Sequence, residues 1–469
     1  MPNKKKRGGS EIAGVGLVGW YYFVSLFSFR FFGRLKENER RPGVDGNCCS
    51  PIAIGVKSFL FLLISLTCIG QSTLNSQSKE WEEDVNYSED KVPYYSLPDP
   101  LVSVTGHRIS SVEEWMTERR PQIMGMFATS IYGRVPMAED LITVQFEEID
   151  HTPDFFDGRC IRKLVTITFS NVRGSVSMKL ALYLPKDAEG PVPILLRMGF
   201  GAVEGKNIEM DNIQAYGRLG NGTPLIDFVE KGIGVAYIKG GEIIKDEIGF
   251  RNSIQKLFYH GKQSMPRSDE WGVLAGIAWQ FSKAMDYLET QEAVDAEKVA
   301  ILGFSKLGKS TLWAGAQDER FAMVLSQNSG CGGAALWNRK FGENLKYMSR
   351  FPHWLCGNAH KYIGREEDLP VDQHMLLACI APRPVYIVSG INDMWADNMG
   401  EYLSAHYATP VYELFGLKGQ KTLERPNINE PVDDRALAYH VRSGGHGYEQ
   451  FDWDQYLKFM DFHFSKKGE

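Results

Sequence analysis

The 469-residue sequence predicts an α/β fold, a three-layer sandwich in which helices cover both faces of a mostly parallel central sheet. Three observations predict it: short strands that are apolar throughout, helical segments between them, and a sharp turn flanked by glycine that joins one such strand to a helix. Apolar residues make up 43% of the chain and charged residues 23%, so an ordinary globular protein is expected rather than a disordered one.

The strand and helix patterns follow one another in the order that such a sheet requires. Runs that are almost wholly apolar, typical of parallel strands covered on both faces, occupy 192–196, 233–238, 299–302 and 385–388. Runs that alternate with period two, which predict antiparallel strands at the edge of the sheet, occupy 141–147, 162–169 and 176–184. Helices are expected over 113–125, with Ser110 or Ser111 as N-cap, and over 272–288, 309–316 and 456–464.

The N-terminal region predicts export. Two uncharged apolar stretches, Ala13–Phe29 and Ser58–Gly70, each follow basic residues, and the second has the length of a signal peptide. The true start could lie at Val56, or the first stretch could be an anchor. We therefore assign residues 1–78 to a leader or anchor with a linker, and 79–469 to one enzyme-sized domain with an N-terminal extension. A periplasmic, secreted or membrane-anchored protein is expected.

Charge and cysteine content limit the classes of partner and of site that the chain can have. Residues 71–469 carry 42 basic and 54 acidic side chains, and this acidic balance argues against nucleic acid as a partner. Four cysteines lie beyond the leader, without a CxxC pair that would indicate a zinc site. They leave two alternatives open: one disulfide, with Cys331–Cys356 as the first candidate, or buried free thiols.

The turn around Ser305 is the most informative segment. The apolar run 299–302 leads into Gly303-Phe-Ser305-Lys-Leu-Gly308 and then into a helix. Small residues on both sides are what a sharp strand-to-helix turn needs, and such a turn exposes a serine hydroxyl above the helix N-terminus. A phosphate-binding loop is excluded, because the strand runs straight to Gly303. The pattern predicts a nucleophile, and with it an α/β-hydrolase fold.

A nucleophilic serine needs a base and an orienting acid, which follow it in the order acid, histidine in α/β-hydrolases. Asp393 comes shortly after the buried run 385–388, and Asp397 lies four residues later. His446 lies in the glycine-rich segment Gly444-Gly-His-Gly447, where the imidazole can approach the serine without crowding. We predict the triad Ser305, Asp393 and His446, with Asp397 left open as the alternative acid.

Several separated motifs, in order, resemble carbohydrate esterase family 15, the glucuronoyl esterases. They are Ser305-Lys-Leu-Gly-Lys309, Ser329-Gly-Cys-Gly-Gly333, Leu369-Pro-Val-Asp-Gln-His374, Ala381-Pro-Arg-Pro384, Asp393-Met-Trp-Ala-Asp397 and Gly444-Gly-His-Gly447. The resemblance covers roughly 85–465. It implies an α/β-hydrolase that cleaves esters between glucuronic acid side chains of xylan and lignin alcohols. Ser305 corresponds to the nucleophile and His446 to the base.

The resemblance also implies substrate contacts and two departures. Lys309 and Glu343 match residues that hold the uronic-acid hydroxyls, and Trp395 matches a tryptophan that packs on the sugar. Many members place the acid as Glu 23 residues after the serine, where this chain has Asn328; Asp393 matches the later acid of a bacterial subset. Lys306 stands where the family usually has Arg, and the two are not equivalent because Lys lacks the planar fork.

The expected reaction is therefore serine ester hydrolysis of glucuronate (4-O-methyl-glucuronoyl) esters by a monomer, without metal or cofactor. The backbone N–H of Lys306, a second N–H beside Gly199 in the segment 198–201, and the Lys306 ammonium are the expected oxyanion donors. Two alternatives stay open. One is an acetyl or other carbohydrate ester hydrolase on the same fold, and the other is a non-catalytic carbohydrate-binding homologue.

Overall fold

The computed structural model describes residues 85–136, 142–199, 222–250 and 252–465, together with the backbone of 202–203 and 206–207. The predicted leader over 1–78 lies outside the described residues. Among the described residues, no helix combines the length and the apolar character needed to cross a bilayer.

One mixed sheet organises the described chain. Its strands are β1 (Thr143–Asp154), β2 (Cys160–Asn171), β3 (Gly174–Pro185), β4 (Val192–Gly199), β7 (Gly234–Lys239), β8 (Val294–Phe304), β9 (Met323–Gln327), β10 (Val385–Gly390) and β11 (Leu437–Arg442). Two further short strands, β5 (Ala202–Val203) and β6 (Lys206–Asn207), pair with each other. The spatial order is β1-β2-β3-β7-β4-β8-β9-β10-β11. The pairs from β1 to β7 are antiparallel and those from β7 to β11 are parallel.

Helices occupy both faces of this sheet. They are α1 (Val112–Glu114), α2 (Arg120–Ser130), α3 (Phe155–Gly158), α4 (Leu225–Glu230), α5 (Gln255–Phe258), α6 (Val273–Leu288), α7 (Lys306–Gln317), α8 (Leu345–Met348), α9 (Gln373–Ala378), α10 (Asn398–Leu414) and α11 (Gln450–Phe464). A π-helical segment, Trp115–Arg119, joins α1 to α2, and 3-10 turns lie at Glu89–Lys91, Trp337–Arg339, Gly357–Tyr362, Glu366–Asp368 and Met394–Ala396.

The apolar strands are buried because alternate residues enter two different cores. On β8, Val299 and Ile301 pack in the larger core with α6, α7, α9 and α10, while Ala300 and Leu302 pack in the smaller core with α4 and α11. A strand covered on both faces cannot alternate apolar with polar residues. The three-layer α/β-hydrolase sandwich expected from the sequence is confirmed.

Most predicted elements are present with longer bounds. All seven predicted strands form, three of them as an antiparallel edge, and Ser111 caps the first helix by accepting the N–H of Glu114. The helix predicted over 113–125 continues to Ser130 through the π-helical segment. Strands β9 and β11 and helix α10 were not predicted, because their sequences carry polar residues that are buried only by tertiary contacts.

The four described cysteines, Cys160, Cys331, Cys356 and Cys379, are free and buried. The candidate disulfide Cys331–Cys356 is therefore wrong, and the free-thiol alternative holds. Burial raises the pKa of Cys331 and of Cys356, so both thiols stay protonated at neutral pH. Each sulfur instead faces a backbone carbonyl, that of Leu336 for Cys331 and that of Thr129 for Cys356.

Candidate active site

Ser305 lies in a strained turn between β8 and α7. Its φ and ψ are 55° and −124°, a combination that a residue with a Cβ rarely adopts. The turn is held because the Ser305 N–H donates to the carbonyl of Gln327 on β9 at 2.9 Å. Gly303 is required next to it, since a Cβ there would overlap the Leu307 carbonyl and the Thr311 hydroxyl. The half-buried Ser305 thus lies at the N-terminus of α7 in the strand-turn-helix geometry that α/β-hydrolases use for a nucleophile.

A cavity of about 610 Å³ opens over this turn. Its walls include aromatic rings and a few charged groups. The lining residues are Arg197, Met198, Gly199, Gly241, Asp246, Phe304, Ser305, Lys306, Leu307, Trp354 and Tyr448. A largely apolar cavity with convergent polar groups beside a strained serine is the usual form of a substrate site.

The structure brings His446 and Asp393 together. Nδ1 of His446 lies 2.6 Å from Oδ2 of Asp393, which is buried, while the imidazole side chain is 41% exposed. Because a carboxylate only accepts, the proton sits on Nδ1 and leaves Nε2 free to accept one. The imidazole also packs on the ring of Phe304, centroid to centroid 4.5 Å, and Phe304 directly precedes Ser305.

Asp397, the alternative acid, has other partners. Its Oδ2 accepts from Nε of Arg339 at 2.9 Å, and its Oδ1 accepts the N–H of Gly400 and so caps α10. Burial raises the pKa of Asp397 to about 6 even with Arg339 beside it. In this structure the carboxylate that reaches His446 is that of Asp393.

Asn328 contacts the same carboxylate. It follows β9 in the left-handed region, with φ of 45°, which Asn tolerates better than most residues. Its Nδ2 donates to Oδ2 of Asp393 at 2.7 Å, so Asp393 accepts from Asn328 and His446 at one oxygen. The residue that the sequence marked only as a missing acid is a hydrogen-bond donor to the acid.

The Lys306 side chain is directed at a carboxylate rather than left free in the cavity. Its Nζ forms an ion pair with Asp246 and lies 5.1 Å from the ring centroid of Trp354. Asp246 also accepts from Nε2 of His353 and Nε1 of Trp354, both at 2.8 Å. Burial would raise the pKa of Asp246, but the bonds from His353 and Lys306 outweigh it and hold that pKa well below its usual range. No motif in the sequence indicated a role for Asp246.

The two backbone N–H groups among the predicted oxyanion donors are only partly described. The backbone N–H of Lys306 lies in the first turn of α7, where N–H groups have no helical partner. Gly199 ends β4, and its carbonyl accepts the N–H of Gly240 at 2.9 Å. Residues 200 and 201, which complete the predicted segment, lie outside the described residues.

Lys309, Glu343 and Trp395 lie together. Nζ of Lys309 donates to Oε2 of Glu343 at 2.5 Å and to two backbone carbonyls at 2.6 Å, in a pair whose side chains are 3% and 7% exposed. Burial raises the pKa of Glu343 although Lys309 opposes this shift. The Glu343 N–H donates to the Trp395 carbonyl at 2.8 Å, and the half-buried Trp395 ring stands edge-on to Tyr347.

A second buried carboxylate was missed by the sequence reasoning. Glu401 on α10 accepts from the N–H and hydroxyl of Ser329, the N–H of Gly330 and the hydroxyl of Ser389, all within 3.0 Å. Burial raises its pKa to about 7. Glu401 thereby holds the loop whose Ser329 carbonyl receives Lys309. Glu401 lies in a segment for which the sequence predicted neither an element nor a site, so no signal marked it.

Comparison with known proteins connects this chain to a family. A sequence profile described as "Glucuronyl esterase, fungi" matches residues 167–416. "Carbohydrate esterase MZ0003" from an unknown prokaryotic organism is 38% identical over 410 residues, covering 82% of this chain and 93% of that protein.

The chain belongs to the glucuronoyl esterases, carbohydrate esterase family 15.

Two solved structures of the family agree with this. The glucuronoyl esterase from Solibacter usitatus is 38% identical with a TM-score of 0.74, covering 80% of this chain and all of that one. A structure titled as a promiscuous CE15 esterase from a marine bacterial metagenome is also 38% identical, with a TM-score of 0.72, covering 81% of this chain and all of that one. The resemblance recognised in the motifs is confirmed.

In this glucuronoyl esterase, each of the two sequence departures has a specific side-chain partner. Asn328 stands where the resemblance expects an acid, and it contacts the acid supplied by Asp393. Lys306 stands where an Arg is expected, and its ammonium is paired with Asp246.

Proposed function

We propose that this protein is a serine carboxylic ester hydrolase that cleaves glucuronate (4-O-methyl-glucuronoyl) esters linking xylan to lignin alcohols. The observation that carries the proposal is the 2.6 Å hydrogen bond between His446 and Asp393 beside the strained Ser305 turn. Membership of the glucuronoyl esterases supports the substrate class.

In the first half-reaction, Nε2 of His446 accepts the Ser305 proton as Oγ attacks the ester carbonyl of the uronic acid. The Asp393 carboxylate keeps the proton of the imidazole on Nδ1 and stabilises the imidazolium that forms. The alcohol then leaves with a proton from Nε2, which breaks the ester bond and yields an acyl-serine. Water, deprotonated by His446, attacks that acyl group and releases the acid and the serine hydroxyl.

Negative charge on the carbonyl oxygen needs donors that are already in place. We assign this to the backbone N–H of Lys306 and, as the sequence predicts, to an N–H at Gly199 in the segment 198–201. Losing one such donor typically lowers kcat by about 10²–10³-fold. Because the Lys306 ammonium is paired with Asp246, its charge acts on the oxyanion from within an ion pair rather than as a free cation.

The sugar is assigned to the group formed by Lys309, Glu343 and Trp395. All three protons of the Lys309 ammonium are directed at oxygens of this chain. Lys309 therefore acts on a uronic-acid hydroxyl by holding Glu343, whose carboxylate accepts from that hydroxyl, while Trp395 packs on the sugar ring.

Hydrolysis of other esters is the second candidate, since one structural relative is titled a promiscuous esterase. The test compares kcat/KM on a benzyl glucuronate ester, acetylated xylan and a simple aryl acetate. The proposal expects the glucuronate ester to be preferred, with activity lost in Ser305→Ala. A preference for either acetate would favour the broader esterase, and turnover unchanged in Ser305→Ala would show that Ser305 is not the nucleophile.

A matched control separates folding from chemistry. Ser310 lies five residues later on α7, and its hydroxyl donates to the Lys306 carbonyl at 3.4 Å. Ser310→Ala is expected to retain wild-type kcat. If neither wild type nor Ser310→Ala cleaves any ester yet both bind xylan fragments, the protein is a non-catalytic carbohydrate-binding homologue.

We also propose that the protein is exported and acts as a monomer. The basic and apolar segments within 1–78 support export to the periplasm or medium, or anchoring there. All proposed catalytic residues come from one chain, so the proposed reaction needs no residue from a second subunit. Mass spectrometry of the native N-terminus and light scattering of the purified protein test these two points.

A further inference from the structure

The loop that carries His446 has little conformational preference of its own. Between β11 and α11 it contains Gly444, Gly445 and Gly447, so three of the four residues of this motif are glycine. Glycine loses more backbone freedom on ordering than any other residue. Other groups must therefore hold this loop if the imidazole is to meet the serine in one geometry.

One buried guanidinium contacts this loop on both sides of His446. Arg442, the last residue of β11, is 1% exposed. Its NH1 donates to the carbonyl of Ser443 at 2.7 Å, and its NH2 donates to the carbonyls of Gly445 at 3.0 Å and Gly447 at 2.5 Å. The two residues that flank His446 are thus held by the same planar group.

Asp452 fixes the orientation of that guanidinium. Its Oδ2 accepts from Nε of Arg442 at 2.8 Å, and its Oδ1 lies 3.0 Å from Nε2 of His440. Burial would raise the pKa of Asp452, but the bonds from His440 and the charge of Arg442 lower it, so the carboxylate is ionised. Asp452 also caps α11 by accepting the N–H of Glu449. Arg442 is therefore oriented by a charged partner on a rigid helix.

The same group is connected to the acid of the triad. Nε2 of Gln327 contacts Oδ2 of Asp452 at 3.0 Å, the carbonyl of Gly447 at 2.9 Å and Oδ1 of Asn328 at 3.0 Å. Asn328 in turn donates to Asp393. One run of hydrogen bonds therefore joins the backbone beside His446 to the carboxylate that its imidazole contacts.

We propose that Arg442 is a positioning residue for the esterase reaction, holding the backbone on both sides of His446 so that the imidazole meets Ser305 and Asp393 in one geometry. This inference rests on the proposed function. Arg442 touches no reacting atom and acts through His446. Because Glu343 and Trp395 are not bonded to Arg442, its loss lowers kcat and leaves KM nearly unchanged.

The test is Arg442→Lys, which keeps the charge but lacks the fork that reaches three carbonyls. We expect kcat on the glucuronate ester to fall roughly 10- to 100-fold, the cost of a misplaced catalytic group, with KM within about twofold. The rate at which a fluorophosphonate probe labels Ser305 should fall by the same factor, because labelling needs the His446 base and no sugar contact.

Arg383→Lys is the matched control. In the wild type, the Arg383 guanidinium also donates to three backbone carbonyls, those of Gly315, Asp318 and Phe321, away from the site. We expect a similar decrease in Tm and an unchanged kcat and labelling rate. If Arg442→Lys loses Tm as Arg383→Lys does but keeps kcat and labelling, Arg442 is only structural and the proposal is overturned.

A second variant covers a failure of Arg442→Lys to fold. Asp452→Asn keeps an acceptor for Arg442 without the charge, and it should lower kcat and labelling in the same direction by a smaller factor. Wild-type labelling without glucuronate turnover would refute the proposed substrate while leaving the positioning role testable by labelling alone. No labelling of wild type would overturn both proposals.

Discussion

Asp393→Asn is the change that tests the site most directly, because it exchanges one oxygen for an amide. Oδ2 of Asp393 accepts from His446 and Asn328, and Oδ1 accepts the N–H of Ala396 at 3.3 Å. An Asn side chain has one oxygen for these two positions. In either orientation its NH₂ group faces a donor.

The two orientations lower kcat for different reasons. With the amide oxygen toward His446 the hydrogen bond remains, but the charge that stabilises the imidazolium is gone. With the NH₂ toward His446, Nδ1 must accept and the proton moves to Nε2, which can no longer take the Ser305 proton. Loss of a triad acid in this manner costs about 10⁴-fold in kcat, or about 5.5 kcal/mol of barrier.

Asp397→Asn is the paired variant, since this residue lies four positions away and was the alternative acid. An Asn there has one oxygen for two donors, Nε of Arg339 and the N–H of Gly400, while Arg339 keeps its ion pair with Glu89, so we expect the free energy of unfolding to fall by about 1–3 kcal/mol. We expect kcat to change less than about threefold, because Asp397 does not contact His446.

The assay measures kcat on a benzyl glucuronate ester at pH 7 together with urea unfolding of both variants. The expected difference lies in turnover: each variant leaves one oxygen for two positions that accept hydrogen bonds and so loses stability to a similar extent, but only Asp393→Asn loses turnover. A 10⁴-fold loss in Asp397→Asn, with Asp393→Asn still active, would refute this assignment of the acid.

Three further predictions concern the same region. Gly303→Ala should destabilise the protein by several kcal/mol, because the added Cβ has no room. Gly125→Ala, on the exposed face of α2, should be neutral or stabilising by about 0.5–1 kcal/mol. Equal Tm values for the two variants would contradict this prediction. Asn328→Gly keeps a backbone suited to positive φ but removes the bond to Asp393, so kcat should fall about 10- to 100-fold. The buried side chain also accepts from Gln327, so the free energy of unfolding should fall by about 1–3 kcal/mol as well, and an unchanged kcat would show that the bond to Asp393 does not orient the acid. Glu401 has a pKa raised to about 7 by burial, so its contribution to stability is full below pH 4 and is lost as pH rises to 7. Asp397 has a raised pKa and titrates in the same range, so between pH 4 and 7 the free energy of unfolding measured in urea should decrease by about 3 kcal/mol less in Glu401→Gln than in the wild type, and an equal decrease in the variant would assign it to other groups.

The architecture could be predicted from sequence because its signals are local. A strand buried on both faces must be apolar at every position, so the runs at 192–196, 233–238, 299–302 and 385–388 were recognisable without knowledge of their neighbours. The turn at Ser305 is equally local, since adjacent small residues determine whether the chain can bend so sharply. Chain order then selected an acid and a histidine, but it left two acids open.

The partners of each charged group were decided by tertiary structure. Asp393 and His446 are 53 residues apart, and the direction of the Lys306 ammonium depends on Asp246, 60 residues away. Arg442 and Asp452 lie in a buried network that no motif marks. Long polar side chains have many rotamers, and the rotamer each adopts depends on the charges that tertiary packing places near it. The sequence therefore determined which chemical groups are present, and the fold determined which of these groups are bonded to one another.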